Sequence, residues 1–153
     1  MIRLNNENNS FLFEILGYSY PFSNEEWDSN WLQVKINIKD YNNSIDFENS
    51  DTCLLTMELV QLKEWLYNIG KDSESSSKIT FMEPNIAFKY KNEIVSIILK
   101  YDFNPFINYD ETPKEKLGEP YIINFNKQEF NPLTVIQKID DYIKKYPQKG
   151  NPR

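Results

Sequence analysis

Apolar and polar positions along this chain change their spacing several times, and each change marks an element. Phe11, Phe13 and Ile15 alternate with polar or outward residues, which predicts a strand over Phe11–Leu16. The clearest period-two signal comes at Trp31–Lys39. There Leu32, Val34, Ile36 and Ile38 alternate with Gln33, Lys35, Asn37 and Lys39. One face is apolar and the other wet, as in an antiparallel sheet covered on one side. Tyr41-Asn42-Asn43-Ser44 has turn chemistry, and residues 44–48 return as a short strand, so a hairpin is expected. The spacing then becomes helical. Leu55, Leu59, Leu62, Leu66 and Ile69 form one stripe of a 3.6-residue period, widened by Trp65. Asp51 or Thr52 is the expected cap, and Gly70 is placed to end the helix.

After a polar loop over residues 71–78, two short strands or one bent strand are predicted over 79–81 and 86–90, interrupted at Pro84. Lys91-Asn92 reads as a turn, and residues 93–101 as a central strand with apolar residues on both faces. The stretch from Asp102 to Pro120 is long, acidic and broken by prolines. It is expected to be a functional or disordered connection. Residues 121–125 are the last strand. Asn131 caps a second helix, with Pro132 at its first position and Phe130 and Val135 spaced as a hydrophobic staple. Leu133, Ile136, Ile139 and Ile143 are its expected buried stripe, and Pro147 stops it. The fold class is therefore α+β: a single antiparallel sheet, flat or curved, of about six strands with two helices packed against it. One domain should span residues 1–153, with 1–10 and 148–153 as loose termini.

Composition narrows the chemistry. The chain has 153 residues, no His and a single Cys, Cys53. An intramolecular disulfide is excluded, as are zinc sites built on Cys and His and the Ser-His-Asp and Cys-His nucleophile pairs. Cys53 borders an apolar run and reads as a small core residue. Four glycines make no phosphate loop. No catalytic, cofactor or metal residue is assigned. With 17 basic and 23 acidic residues the net charge is −6, which disfavours nucleic acid and anionic membranes as partners. The first nine residues hold no apolar run of a secretion signal, and no apolar stretch is long enough to span a bilayer. A cytoplasmic location and a monomer are the expectation.

What remains are acidic stretches that carry aromatics. Glu25, Glu26, Trp27, Asp28 and Trp31 cluster before the clearest strand, and Asp110, Glu111 and Glu115 fall in the second acidic stretch. Trp is enriched in interface hot spots, while charge steers encounter. These eight residues are the candidate partner contacts. Trp31 opens a strand and has a core role as its alternative. Glu83, beside Pro84, is a further carboxylate, read as a turn residue.

Several segments carry a family resemblance: Phe13-Glu14-Ile15-Leu16-Gly17-Tyr18, Asp28-Ser29-Asn30-Trp31-Leu32, Leu54-Leu55-Thr56-Met57-Glu58-Leu59, and Phe81-Met82-Glu83-Pro84-Asn85-Ile86. Together they resemble the WapI family of bacterial immunity proteins, from about residue 11 to the last helix. The resemblance implies a cytoplasmic protein that binds and blocks the C-terminal domain of a WapA-like contact-dependent toxin, some of which cleave tRNA. It implies no catalytic residue. Two rival readings stand beside it. One is another protein-binding module, such as a secretion chaperone or assembly subunit. The other is an enzyme built on a carboxylate, which would need one acidic group buried in a cleft.

Overall fold

The structure is a computed structural model, and it describes residues 1–71, 76–108 and 118–152. Eight strands form two antiparallel sheets in place of the single sheet expected from the sequence. The first sheet runs in the order β1 (Ile2–Asn5), β2 (Asn9–Tyr18), β3 (Trp31–Asp40), β4 (Ile45–Leu55). The second runs β5 (Ser76–Ile79), β6 (Ile86–Lys91), β7 (Ile94–Leu99), β8 (Tyr121–Asn126). Helix α1 (Thr56–Gly70) separates them in the chain. Two four-residue helices, α2 (Pro105–Asn108) and α3 (Lys127–Phe130), precede the last long helix, α4 (Pro132–Lys145). Within each sheet, every strand pairs with its neighbour in sequence. The alternation within each strand therefore shows that it is half buried, but not whether strands on either side of α1 share a ladder.

Four further expectations are corrected. Residues 1–10 are not a loose lead-in: Ile2 and Leu4 are buried on β1, which pairs with β2 from Ile2 opposite Phe13 to Asn5 opposite Ser10. The strand after the hairpin reaches Leu55, so Asp51 and Thr52 lie in β4 and cap nothing. The back-bond at the start of α1 comes instead from Glu58, whose Oε2 accepts from the Leu55 amide at 3.0 Å. Lastly, Leu133 is 68% exposed and leaves the expected α4 stripe; Ile139 is buried as expected, Ile136 and Ile143 are half-buried against the core, and Val135 and Tyr142 join them. The α1 stripe, by contrast, is buried as its spacing predicts, from Leu55 to Ile69.

Both sheets and both long helices share one core. A void of about 20 Å3 is lined by Ile2, Leu4, Phe11 and Phe13 of the first sheet, Phe88 of the second, Leu62 and Leu66 of α1, and Val135 and Ile139 of α4. The helices run antiparallel. The end of α1 meets the start of α4, where a Cβ at Gly70 would sit 3.8 Å from that of Pro132. Midway, Lys63 Nζ lies 2.6 Å from Asp140 Oδ1.

Polar ties stitch the sheets together at their ends. The Asn6 side chain donates to the Asn124 carbonyl at 3.1 Å, and Asn49 donates to the Asp102 carbonyl at 2.8 Å. The buried hydroxyl of Tyr121, on β8, donates to Asp40 Oδ2 at the end of β3. Burial pushes the Asp40 carboxyl up. Hydrogen bonds from Tyr121, Asn43 and Asn42 outweigh it and hold the group below the usual carboxylate range. Burial and the neighbouring Asp40 push the Tyr121 phenol well above its ordinary value.

A group held below its unfolded pKa adds stability that is full above the ordinary carboxylate range and is lost as pH falls through the folded value. Tyr121→Phe removes one charge-assisted bond, so we expect a loss of about 2 kcal/mol at neutral pH. Urea unfolding should show that loss shrinking as acid protonates Asp40; a loss independent of pH would reject the charged bond.

Candidate partner-binding surface

Residues 19–30 join β2 to β3, and the sequence builds their base unusually. Leu16 is an extra residue in β2 and Cys53 an extra residue in β4, so bulges flank β3 on both sides at the same level. Gly17 takes φ +152°, a conformation that side chains disfavour, as the strand bends. Bulges raise the local twist and turn the strand's continuation in a new direction. Beyond them Ser19 donates its amide to the Trp31 carbonyl at 2.8 Å, closing the loop at its neck. Thr52 adds a hydroxyl bond to Ser19 Oγ at 2.7 Å.

The second half of the loop is a helical turn. Ser29 N donates to Glu25 O at 2.9 Å and Asn30 N to Trp27 O at 3.0 Å, with a 3-10 turn at Asp28–Asn30. Asn30 is fully buried, and its amide group is saturated. Nδ2 donates to the carbonyls of Glu26 and Lys149, while Oδ1 accepts from Thr56 Oγ1 at 2.7 Å and Lys149 N at 2.8 Å. An amide offers two donors and two acceptor lone pairs, so nothing is left over. The Asp-Ser-Asn-Trp segment therefore owes its Asn to architecture.

Ser29 is buried beside Asn30, and the rest of the turn faces outward. Glu25, Glu26 and Asp28 are all exposed, and Trp27 is 40% exposed. Trp31 is half-buried at the start of β3, so it belongs partly to the packing. Two residues that sequence reasoning did not single out complete the surface: Phe22, 95% exposed, and Tyr20, 49% exposed. Pro21 between them marks a loop, but a loop phenylalanine can fold inward as readily as out, so the sequence held no signal for it. Asp110, Glu111 and Glu115, the remaining predicted contacts, lie outside the described residues.

Elsewhere, Glu58 and Asp51 serve the fold. Glu58 is buried, and its Oε1 accepts from the Met82 amide at 2.8 Å, pinning the turn that holds Glu83. Asn85 is also buried and donates to Asp51 Oδ2 at 2.8 Å. Asp102 is held above the usual carboxylate range by a hydrogen bond to Asp51, helped by slight burial and by the charge of Asp51. Cys53 is a core residue as expected. Burial, with Asp51, Glu58 and Glu83 nearby, pushes its thiol far up, away from the reactive thiolate. Asn104 Nδ2 donates to the Glu119 carbonyl at 2.7 Å, and Phe103 beside it is fully buried. The first part of the second acidic stretch is thus anchored. Among the described residues no group of three His, Cys, Asp or Glu could hold a metal ion. No described helix is long and apolar enough to cross a membrane.

An ordered loop that shows rings and carboxylates to solvent suits recognition of another macromolecule, with rings as anchors and charge for approach. The class that the wider sequence defines agrees: the chain belongs to the immunity protein WapI-like family, whose model matches residues 1–147. Family membership implies a toxin protein as partner. Neither the curated proteins nor the solved structures give a significant match.

Asn30→Asp keeps the shape but turns two donated bonds into a carboxylate facing two carbonyl oxygens. We expect a loss of roughly 3 kcal/mol or more, because the buried charge is uncompensated. Thermal unfolding by circular dichroism measures it, and a midpoint equal to the parent's would show that Asn30 is not the hub described.

Proposed function

We propose that this protein is the cytoplasmic immunity partner of a WapA-like contact-dependent toxin domain. It neutralises that domain by laying the 20–31 loop over the active or RNA-binding surface. The observation that carries this reading is Phe22. A ring 95% exposed to water, flanked by Tyr20 and Trp27 on a hydrogen-bonded loop, has a hydrophobic payload and no intramolecular use for it. Around it Glu25, Glu26 and Asp28 supply negative charge. A toxin that grips RNA needs a basic groove, since phosphate contacts dominate such affinity. An acidic loop with aromatic anchors complements that groove, and its order before binding lowers the entropy lost on association.

The two halves of this surface should fail differently. Reversing Glu25, Glu26 and Asp28 together to Lys should slow association with the cognate toxin domain about tenfold or more at low salt, and the difference should fade at high salt. Phe22→Ala should leave association nearly unchanged and speed dissociation about tenfold or more, as for a central anchor. Surface-binding kinetics with the toxin domain encoded beside this gene, together with a co-expression growth test, measures both. Unchanged rates in both variants would move the interface elsewhere.

A further inference from the structure

We infer that the segment after α4, Pro147 to Gly150, is a strap that holds the 20–31 loop in its presenting shape, with Asn30, Lys149 and Tyr18 as positioning residues. The inference rests on the reading of that loop as the partner surface. The sequence suggests a loose terminus here. The structure instead shows contacts that cross the whole chain. Tyr146 packs edge-on against Tyr18, with ring centroids 5.5 Å apart. The Tyr18 hydroxyl then donates to the Pro147 carbonyl at 2.6 Å. Two residues on, the main chain of Lys149 exchanges both of its hydrogen bonds with the Asn30 side chain, as a neighbouring strand would. The Lys149 ammonium lies 3.8 Å from the centre of the Tyr18 ring, within cation–π range. Gly150 takes a left-handed φ of +64°, and a Cβ there would come within 3.3 Å of Glu26 Cγ.

These contacts have a direction. Within the loop, the turn from Glu25 to Asn30 is closed by bonds between residues four or fewer apart. Such a turn is marginal alone, because each residue fixed costs about 1–2 kcal/mol of backbone entropy. From outside, Asn30 is held by Thr56 and by Lys149. Removing Lys149 from that set leaves the core untouched, since Asn30 still meets Thr56, but frees one lone pair and one N–H. The loop should then sample more conformations, and its partner must order it on binding.

The test uses the full chain with Lys149→Pro, which lacks the N–H given to Asn30, with Tyr18→Phe, and with Lys149→Arg as the conservative control. Amide hydrogen exchange at Ser29 and Asn30 reports loop order without any partner, with the α4 amides as internal reference. We expect about tenfold faster exchange at those two amides in Lys149→Pro, a smaller rise in Tyr18→Phe, and parental behaviour in Lys149→Arg. Affinity for the cognate toxin domain should fall about tenfold in Lys149→Pro. Unchanged exchange overturns the strap. Faster exchange with unchanged affinity overturns its positioning role. If the charge-reversed loop variant still slows association, that failure is the strap's alone; if it does not, the loop is not the interface.

Discussion

A buried amide tolerates no unpaired atom, because water is not there to replace a missing partner. Asn30 meets that demand with Glu26, Thr56 and Lys149, which belong to the loop, the start of α1 and the segment after α4. Three stretches far apart in sequence are thereby fixed to a single side chain. The first sheet can end at Trp31, α1 can start at Thr56, and the loop between β2 and β3 can stand out in water without collapsing. Glu58 and Asn85 repeat the arrangement on the neighbouring turn, where a carboxylate and an amide hold residues 82–85 against α1 and β4. Most of the apolar core would survive a change at these points. The shape of the exposed loops would not.

Local periodicity survived folding where one face of an element does all the packing. The alternation at β3 and the α1 stripe are in that class, as are Asn131 with Pro132 at the head of α4. Periodicity failed where it was too short or too rich. Ile2 and Leu4 offer two apolar positions, below what distinguishes a strand from a polar lead-in, and only pairing with β2 reveals them. On α4 the residue Leu133 fits a stripe as well as Val135 does. The choice between them was made by α1 and β1, which share the core void with Val135, while Leu133 stays 68% exposed. The division into two sheets was likewise a matter of partners. At the candidate site, charge and Trp27 were legible because charges rarely hide. Phe22 and the hub role of Asn30 were not, since exposure of a ring and saturation of an amide are set by residues distant in the chain.

Charge is also divided between surfaces in a way the net value of −6 conceals. The outer face of the second sheet carries Lys78, Lys89 and Lys91, with Ile94, Ser96, Ile122, Asn124 and Asn126, and no acidic residue in that register. Lys78 and Lys89 stand directly opposite each other, an unfavourable pairing of like charge. The acidic loop rises from the other sheet. Opposed fields on separate faces orient a charged partner during approach, which a uniform negative surface of the same net charge would not do.

The buried ionisable groups bear on the choice between binding and chemistry. A carboxylate that transfers protons needs an environment that leaves it free to exchange them and brings its pKa toward the working pH. Asp40 goes the other way, drawn down by its bonds to Tyr121, Asn43 and Asn42. Glu58 gives one oxygen to the Leu55 amide and the other to the Met82 amide, so both oxygens of this buried carboxylate are held by backbone donors. Glu25, Glu26 and Asp28 stand in water, where they can attract a partner across several ångströms but have no dry pocket in which to act on a bond. The same division that ties up the buried carboxylates leaves the loop carboxylates in water, as the proposed recognition role requires.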